Sequence, residues 1–232
     1  MGGIGRTVGQ DEWHFIKAPF KRSALKWDLL MVGATATLVT QDEKVLHQVP
    51  ASWHPTSHDI SNGCIYGTAA MAGGIYFTGL INKSKYAQET GIRTAEATVD
   101  SVIMYGVLKV ITERQRPYTG AGEGRFFAGN WKNSSFPSGH SMFAWTIAST
   151  LAHRYHSVPF DLLLYSVATA ESVTRVTAGQ HFPSDVLVGS VFGYLIGDYV
   201  AQKPESGFPI RGGSRFRRIP YAILKHVSFG GQ

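Results

Sequence analysis

T-R-V-T-A-G-Q-H-F-P-S-D, residues Thr174 to Asp185, is the stretch on which the reading of this chain turns. It holds an Arg, a His six residues later and an Asp four residues beyond the His, with Pro183 between the last two. Pro183 followed by Ser184 and Asp185 is a helix start, because Pro fits the first turn and small polar residues cap it. Arg175 lies at the end of the apolar run before it, so the stretch joins two helices. Asp185 can reach back to one imidazole nitrogen of His181 and leave the other aimed outward as a nucleophile. Arg175 can clamp two phosphate oxygens. Taken alone, the same residues also suit a surface loop leading into a helix. Two earlier stretches supply what this one lacks.

Pro137-Ser138-Gly139-His140 is one of them. A Pro-Ser-Gly turn into a helix presents backbone N–H groups and a hydroxyl at the positive end of the helix dipole. Gly139 lets an anion approach the backbone with no Cβ in the way. A plain helix cap would explain the turn by itself. His140 is harder to dismiss, since a cation in the first turn opposes the dipole and its proton affinity falls unless an anion is near. The other stretch holds Lys109 and Arg116, seven residues apart on a helix expected over 95–116 and hence on one face. Two cations stacked in this way repel unless an anion lies between them. A solvated basic helix end accounts for the pair alone.

Together, K-x6-R-P (Lys109 to Pro117), P-S-G-H (137–140) and R-x5-H-x3-D (Arg175 to Asp185) resemble the three-part motif of the type 2 phosphatidic acid phosphatase family. That family shares a superfamily with bacterial non-specific acid phosphatases and vanadium haloperoxidases. About ten positions match in order and spacing, across roughly residues 95–200. The family usually has Ser where this chain has Thr174, which keeps a hydroxyl. The resemblance implies that His181 attacks phosphorus to form a phosphohistidine and that Asp185 orients it. It implies that His140 protonates the leaving oxygen and then activates water. Lys109, Arg116 and Arg175 would hold the non-bridging oxygens with Ser138 and the Gly139 amide. Three cations and a helix N-terminus can do this without a metal. No metal or cofactor is therefore expected, and phosphate, or vanadate in its place, is what the pocket would hold.

The expected function is a metal-independent phosphatase acting on a phosphomonoester or diphosphate, foremost a phosphorylated lipid. A soluble non-specific acid phosphatase acting on a small phosphate ester is one alternative. A vanadate-dependent haloperoxidase is another, disfavoured by the short chain. The formal charge of +6 suits such anionic partners. No nucleic-acid partner is expected. The expected place is the cell envelope, at a membrane surface or in the periplasm, although the start M-G-G-I-G-R-T-V-G-Q has no leader-like apolar run. The lone Cys64 excludes an intramolecular disulfide framework. A mean hydropathy of −0.06 speaks against a dense polytopic membrane protein.

The expected fold is all-α, a compact bundle of about six helices with the active site at helix ends. Residues 1–28 read as an amphipathic or surface segment, with aromatics and bases mixed over 11–27, residues 29–203 as the phosphatase domain, and 204–232 as a basic tail. That tail would pack as a short strand, lie on an acidic surface or stay solvated. Residues 29–40 read as a short buried helix, and 42–62 as mostly loop. His54 and His58 within 42–62 suggest an ordinary loop rather than a metal site, since Pro55 follows His54. The uncharged stretch 60–82 reads as a core helix, with a membrane span as the alternative. On the helix over 95–116, Val99, Val102, Ile103, Gly106, Val110 and Ile111 recur at helical spacing. A long Gly- and aromatic-rich loop follows over 118–136. Three further helices are expected over 138–154, 160–175 and 183–201.

Overall fold

A computed structural model describes residues 25–119 and 122–203. The tail over 204–232 and most of the segment over 1–28 lie outside the described residues. Within them the protein is all-α, with helices α1 (Leu25–Val39), α2 (Asp42–His47), α3 (His54–Ile81), α4 (Lys85–Thr112), α5 (Gly139–Tyr155), α6 (Val158–Thr177) and α7 (Pro183–Gln202). Short 3-10 turns cover Ala51–Trp53 and Trp131–Asn133. The stretch 42–62 is thus mostly helical rather than loop. Pro55 does not prevent this, because it falls in the first turn of α3, where its missing N–H would have had no acceptor. Helix α4 starts at Lys85, capped by Ser84, whose Oγ accepts from the Ala87 amide at 3.3 Å. It stops at Thr112, where Glu113 takes a left-handed φ of 43° and donates its N–H to the Lys109 carbonyl. Arg116 is therefore in the loop after α4 and not on the helix with Lys109. The seven-residue spacing does not place the two on one helix face.

Helix α5 is the centre of the bundle. On one side Ala144, Ile147, Ala148, Leu151 and Ala152 bury against Leu164 and Ala168 of α6. On the other, Met142 packs with Ala97 and Met104 of α4 and with Ile196 and Val200 of α7. Helix α7 comes especially close. Cβ atoms added at Gly189, Gly193 and Gly197 would stand 2.5, 2.2 and 2.5 Å from the carbonyl oxygens of Ser138, Met142 and Thr146. One glycine stripe thus lays α7 on the backbone of α5. Gly193→Ala is expected to cost about 1–3 kcal/mol, because neither backbone can give way locally. Denaturant unfolding of the two proteins at one detergent concentration checks this, and equal midpoints would contradict the packing.

Several apolar stretches face away from the interior. Val99, Val102, Ile103, Val110 and Ile111 of α4 are exposed, whereas Ala97, Asp100, Ser101 and Met104 are buried. The interior contact there is a hydroxyl pair, Ser101 Oγ to Thr146 Oγ1 at 2.6 Å. Helix α3 likewise turns Tyr66, Phe77, Leu80 and Ile81 outward and buries Ser57, Ser61 and Thr68. It is not a core helix: only 11% of its apolar window is buried. Leu29, Leu30 and Val32 of α1 are exposed as well, so α1 is not the buried helix expected over 29–40. By length and composition α3 alone among the described helices is able to cross a membrane.

Candidate active site

The residues of the opening stretch meet at the junction of α6 and α7. Helix α6 ends at Thr177, and Gly179 makes the turn with a φ of 64°. The amides of Gln180 and His181 then both donate to the carbonyl of Arg175, at 3.1 and 3.3 Å. This folds His181 back over the end of α6, where it is almost fully buried. Its Nδ1 lies 2.8 Å from the carbonyl oxygen of Ser135 and 3.7 Å from Asp185 Oδ2. A carbonyl can only accept, so Nδ1 carries the proton and Nε2 keeps its lone pair. The tautomer is the expected one, but the backbone of Ser135 fixes it and Asp185 contributes from a longer distance. Asp185 Oδ2 accepts from the Phe182 amide at 2.9 Å, closing the first turn of α7.

Sequence reasoning passed over Arg114, which organises this junction. Its Nη1 donates to Asp185 Oδ1 at 2.5 Å and to Ser184 Oγ at 2.7 Å. Its Nη2 pairs with Asp42 Oδ2 at 2.7 Å, and its Nε donates to the Gly124 carbonyl at 3.1 Å. The guanidinium lies between the rings of Phe126 and Phe182, 4.6 and 4.3 Å from their centroids. Arg114 also acts through its backbone, because its carbonyl accepts from the Ser135 amide at 2.8 Å, and Ser135 in turn holds His181. Asp42 comes from α2 and accepts from the Ser184 amide at 3.0 Å as well as from its hydroxyl. The R-x-R-P pattern at 114–117 was the available signal for Arg114. Nothing in the sequence marks Asp42 or the Ser135 carbonyl.

The mouth of the site is built from the other motif residues. The Ser138 amide donates to the Asp185 carbonyl at 2.9 Å, which sets the start of α5 beside the start of α7. Ser138 is buried and its Oγ accepts from Ser141 Oγ at 3.1 Å, so it makes no side-chain helix cap. A Cβ on Gly139 would stand 3.0 Å from the Tyr105 ring, and Lys109 Nζ sits 5.3 Å from that ring's centroid. Lys109 is thus at the edge of the Pro-Ser-Gly turn. Arg116 Nη1 donates to the Gln180 carbonyl at 3.1 Å and lies 3.4 Å from His181 Nε2. Arg175 Nη1 donates to Ser61 Oγ of α3 at 3.3 Å. The Nε of each arginine is buried without a hydrogen-bond partner. An orphaned buried donor is costly, and Arg116 is near enough to weigh on the Arg175 guanidinium, so the two are able to take an anion.

Electrostatics follow from this crowding. Burial first, and then Arg175, His181, Arg116 and His58, lower the His140 pKa to about 4. Burial likewise lowers His181 to about 4, with Arg116 and Arg175 adding to it and Asp185 opposing. For Asp185 burial alone would raise the pKa, but His181, Arg114 and the Phe182 amide outweigh it and hold the carboxyl below its ordinary value. The arrangement therefore offers an unprotonated Nε2 beside two arginines, with a second imidazole close by.

His54 and His58 stand one turn apart at the start of α3, not in a loop. The His54 ring lies 3.0 Å from the ideal Cβ position of Gly179, and His58 bonds Asn62 at 3.2 Å. Among the described residues no cluster of three or more His, Cys, Asp or Glu side chains is gathered to hold a metal. A shallow pocket of about 190 Å³ adjoins the site, between Leu46, His54, Tyr118, Gly179 and Gln180.

Comparison with known proteins bears on the same region. The model of the PAP2 superfamily matches residues 92–205. A lipid A 1-phosphatase of Porphyromonas gingivalis is 33% identical over 67 residues, which are 28% of this chain and 15% of the relative. The aligned segment thus spans about one seventh of that curated relative's length. Among solved structures, a transmembrane PAP2-type phosphatidylglycerolphosphate phosphatase from Bacillus subtilis is similar, with a TM-score of 0.49 and 20% identity. The match covers 86% of this chain and 94% of that one.

Proposed function

The chain belongs to the PAP2 superfamily through residues 92–205, and from that membership we propose that it is a phosphatase acting on a phosphorylated lipid by way of a phosphohistidine. The observation that carries the proposal is the buried His181. The Ser135 carbonyl accepts from its Nδ1–H, and its Nε2 faces Arg116 at 3.4 Å. A neutral imidazole so held is a nucleophile, and the unpartnered Nε–H groups of Arg116 and Arg175 can donate to the oxygens of a phosphoryl group. His181 Nε2 attacks phosphorus, and the bond to the leaving oxygen breaks as His140 gives that oxygen a proton. His140 then takes a proton from water, whose oxygen attacks phosphorus and frees His181. Asp185 compensates the positive charge that His181 carries in between. Lys109, Ser138 and the Gly139 amide complete the cradle.

Two observations support a lipid substrate. One is the likeness to a segment of a lipid A 1-phosphatase. The other is the outward apolar face of α3, whose 28 residues extend about 42 Å, enough to cross a bilayer. The place of action is accordingly a membrane of the cell envelope.

The test is to fractionate cells that express the full chain and assay each fraction, in EDTA, against a lipid phosphate and a soluble phosphate ester. Activity should follow the membrane fraction, prefer the lipid and survive the chelator. Activity that is wholly soluble and indifferent to the lipid would overturn the lipid reading.

The pH dependence follows from the two histidines. Attack needs His181 neutral, which holds above about pH 4, whereas the proton donor His140 must be charged, which in the free site holds only below about pH 4. kcat/KM reports the free enzyme and should therefore be bell-shaped with an acidic maximum. A bound phosphate anion stabilises the His140 cation and raises its pKa, so the maximum of kcat should lie at higher pH. A profile flat from pH 4 to 8 for both quantities would exclude this pair.

A further inference from the structure

Glu171 has no part in the chemistry above, yet it is fully buried on α6, one turn before Arg175. Keeping a carboxylate dry is expensive unless its position is used. Its Oε1 accepts a hydrogen bond from Ser61 Oγ of α3 at 2.8 Å, and its Oε2 has no hydrogen-bond partner. Ser61 is itself fully buried, and its Oγ accepts from Arg175 Nη1 at 3.3 Å. Burial raises the Glu171 pKa to about 7, and a proton on it would sit on the unpartnered Oε2, so Oε1 accepts in either state, whereas a hydroxyl has one proton and two lone pairs. Glu171 thereby accepts the Ser61 hydrogen bond and obliges the hydroxyl to turn a lone pair to the arginine.

The hydroxyl between Glu171 and Arg175 matters for geometry. A guanidinium binds a phosphate side-on through Nε and Nη2. A carboxylate paired bidentately with Arg175 would occupy that edge. Ser61 holds only Nη1, and the Nε of Arg175 stays buried and unpartnered. The same stripe of α3 is fastened to the end of α6 at two more points. Thr177 Oγ1 donates to Ser57 Oγ at 2.7 Å, and the His54 ring packs on Gly179.

We infer that Ser61 and Glu171 are positioning residues that hold Arg175 with its side-on edge toward the substrate phosphate, which makes α3 a working part of the site. The inference rests on the phosphatase reading, in which Arg175 clamps phosphate. It implies that one helix turns apolar residues outward and, on its other face, sets the register of the clamp.

The test uses the full chain in detergent and reads two quantities, inorganic phosphate affinity by titration and KM against kcat for a lipid phosphate. Ser61→Ala should weaken phosphate binding and raise KM by about tenfold, with a smaller change in kcat, as one misdirected charge-assisted hydrogen bond would do. Glu171→Leu, which removes the acceptor, should move both in the same direction. Arg175→Lys keeps the charge but has no side-on edge, so adding Ser61→Ala to it should cost nothing further. Thermal unfolding of each variant identifies any that have lost the fold, and the remaining pairings of the cycle still decide the question. If Ser61→Ala leaves phosphate affinity and KM unchanged while Arg175→Ala abolishes both, the relay is overturned and the clamp stands. If Arg175→Ala binds phosphate as the wild type does, the clamp assignment fails and takes the relay with it.

Discussion

His181→Ala lowers phosphate release by about 10⁴-fold or more, the scale seen when an activated nucleophile is removed from a built site. His181 is buried, so the variant loses some packing as well, and circular dichroism must show that the helices remain. The stronger form of the test separates the two histidines. His140→Ala retains the nucleophile and loses the proton donor and water activator. With a p-nitrophenyl ester, whose leaving group needs no proton, the first step should continue and the second should stall. An acid-labile, base-stable phosphoryl group should then accumulate on His181 at close to one per chain, and none should appear in the His181→Ala variant. Full turnover in His181→Ala, or phosphate trapped on another residue, would refute the assignment.

Arg114→Ala should be the most damaging change outside the nucleophile. It leaves Asp42 and Asp185, both buried, facing each other without the cation that separates them, and empties the space between Phe126 and Phe182. Breaking a buried ion pair from one side costs about 3–5 kcal/mol. Denaturant unfolding should register that loss, and turnover should vanish because Asp185 loses its anchor. Arg114→Lys restores a charge without the fork of donors and should recover stability better than activity. The acid side of the stability curve gives an independent check. Asp185 has a folded pKa below its unfolded one, so its contribution is complete above the ordinary carboxylate range and is lost as pH falls through the folded value. Without Arg114 that contribution shrinks, and stability should depend less on pH in this range. Unchanged stability in Arg114→Ala would mean that the network carries no load.

Much of the site was legible because its chemistry repeats in short motifs at fixed spacing. His181, Asp185, His140, Arg116 and Arg175 were all readable in this way, and so were the helix starts at Gly139 and Pro183. Arg114 was legible in principle as the first Arg of R-x-R-P. Asp42 was not, because its role depends on α2 reaching α7 across 142 residues of chain. Ser135 acts through a carbonyl that every residue has. Glu171 and Ser61 read as an ordinary helix residue and an ordinary small one until α3 and α6 are laid together.

The apolar periodicity of α4 marked a helix but left open what its apolar face meets. Period alone says which residues share a face, not what that face meets. Here the interior is small and polar, with Ser101 on Thr146, and the apolar side chains point away from it.

By itself the sequence determined the all-α class, the likeness to the PAP2 superfamily and the candidate residues of the site, because these depend on local propensity and on side-chain chemistry at short range. Tertiary structure alone decided which way each helix faces, that a backbone carbonyl fixes the tautomer of His181, and that Arg114 stands behind Asp185 and Glu171 behind Arg175. Those depend on distances between residues far apart in the chain, and such distances exist only once the helices have packed.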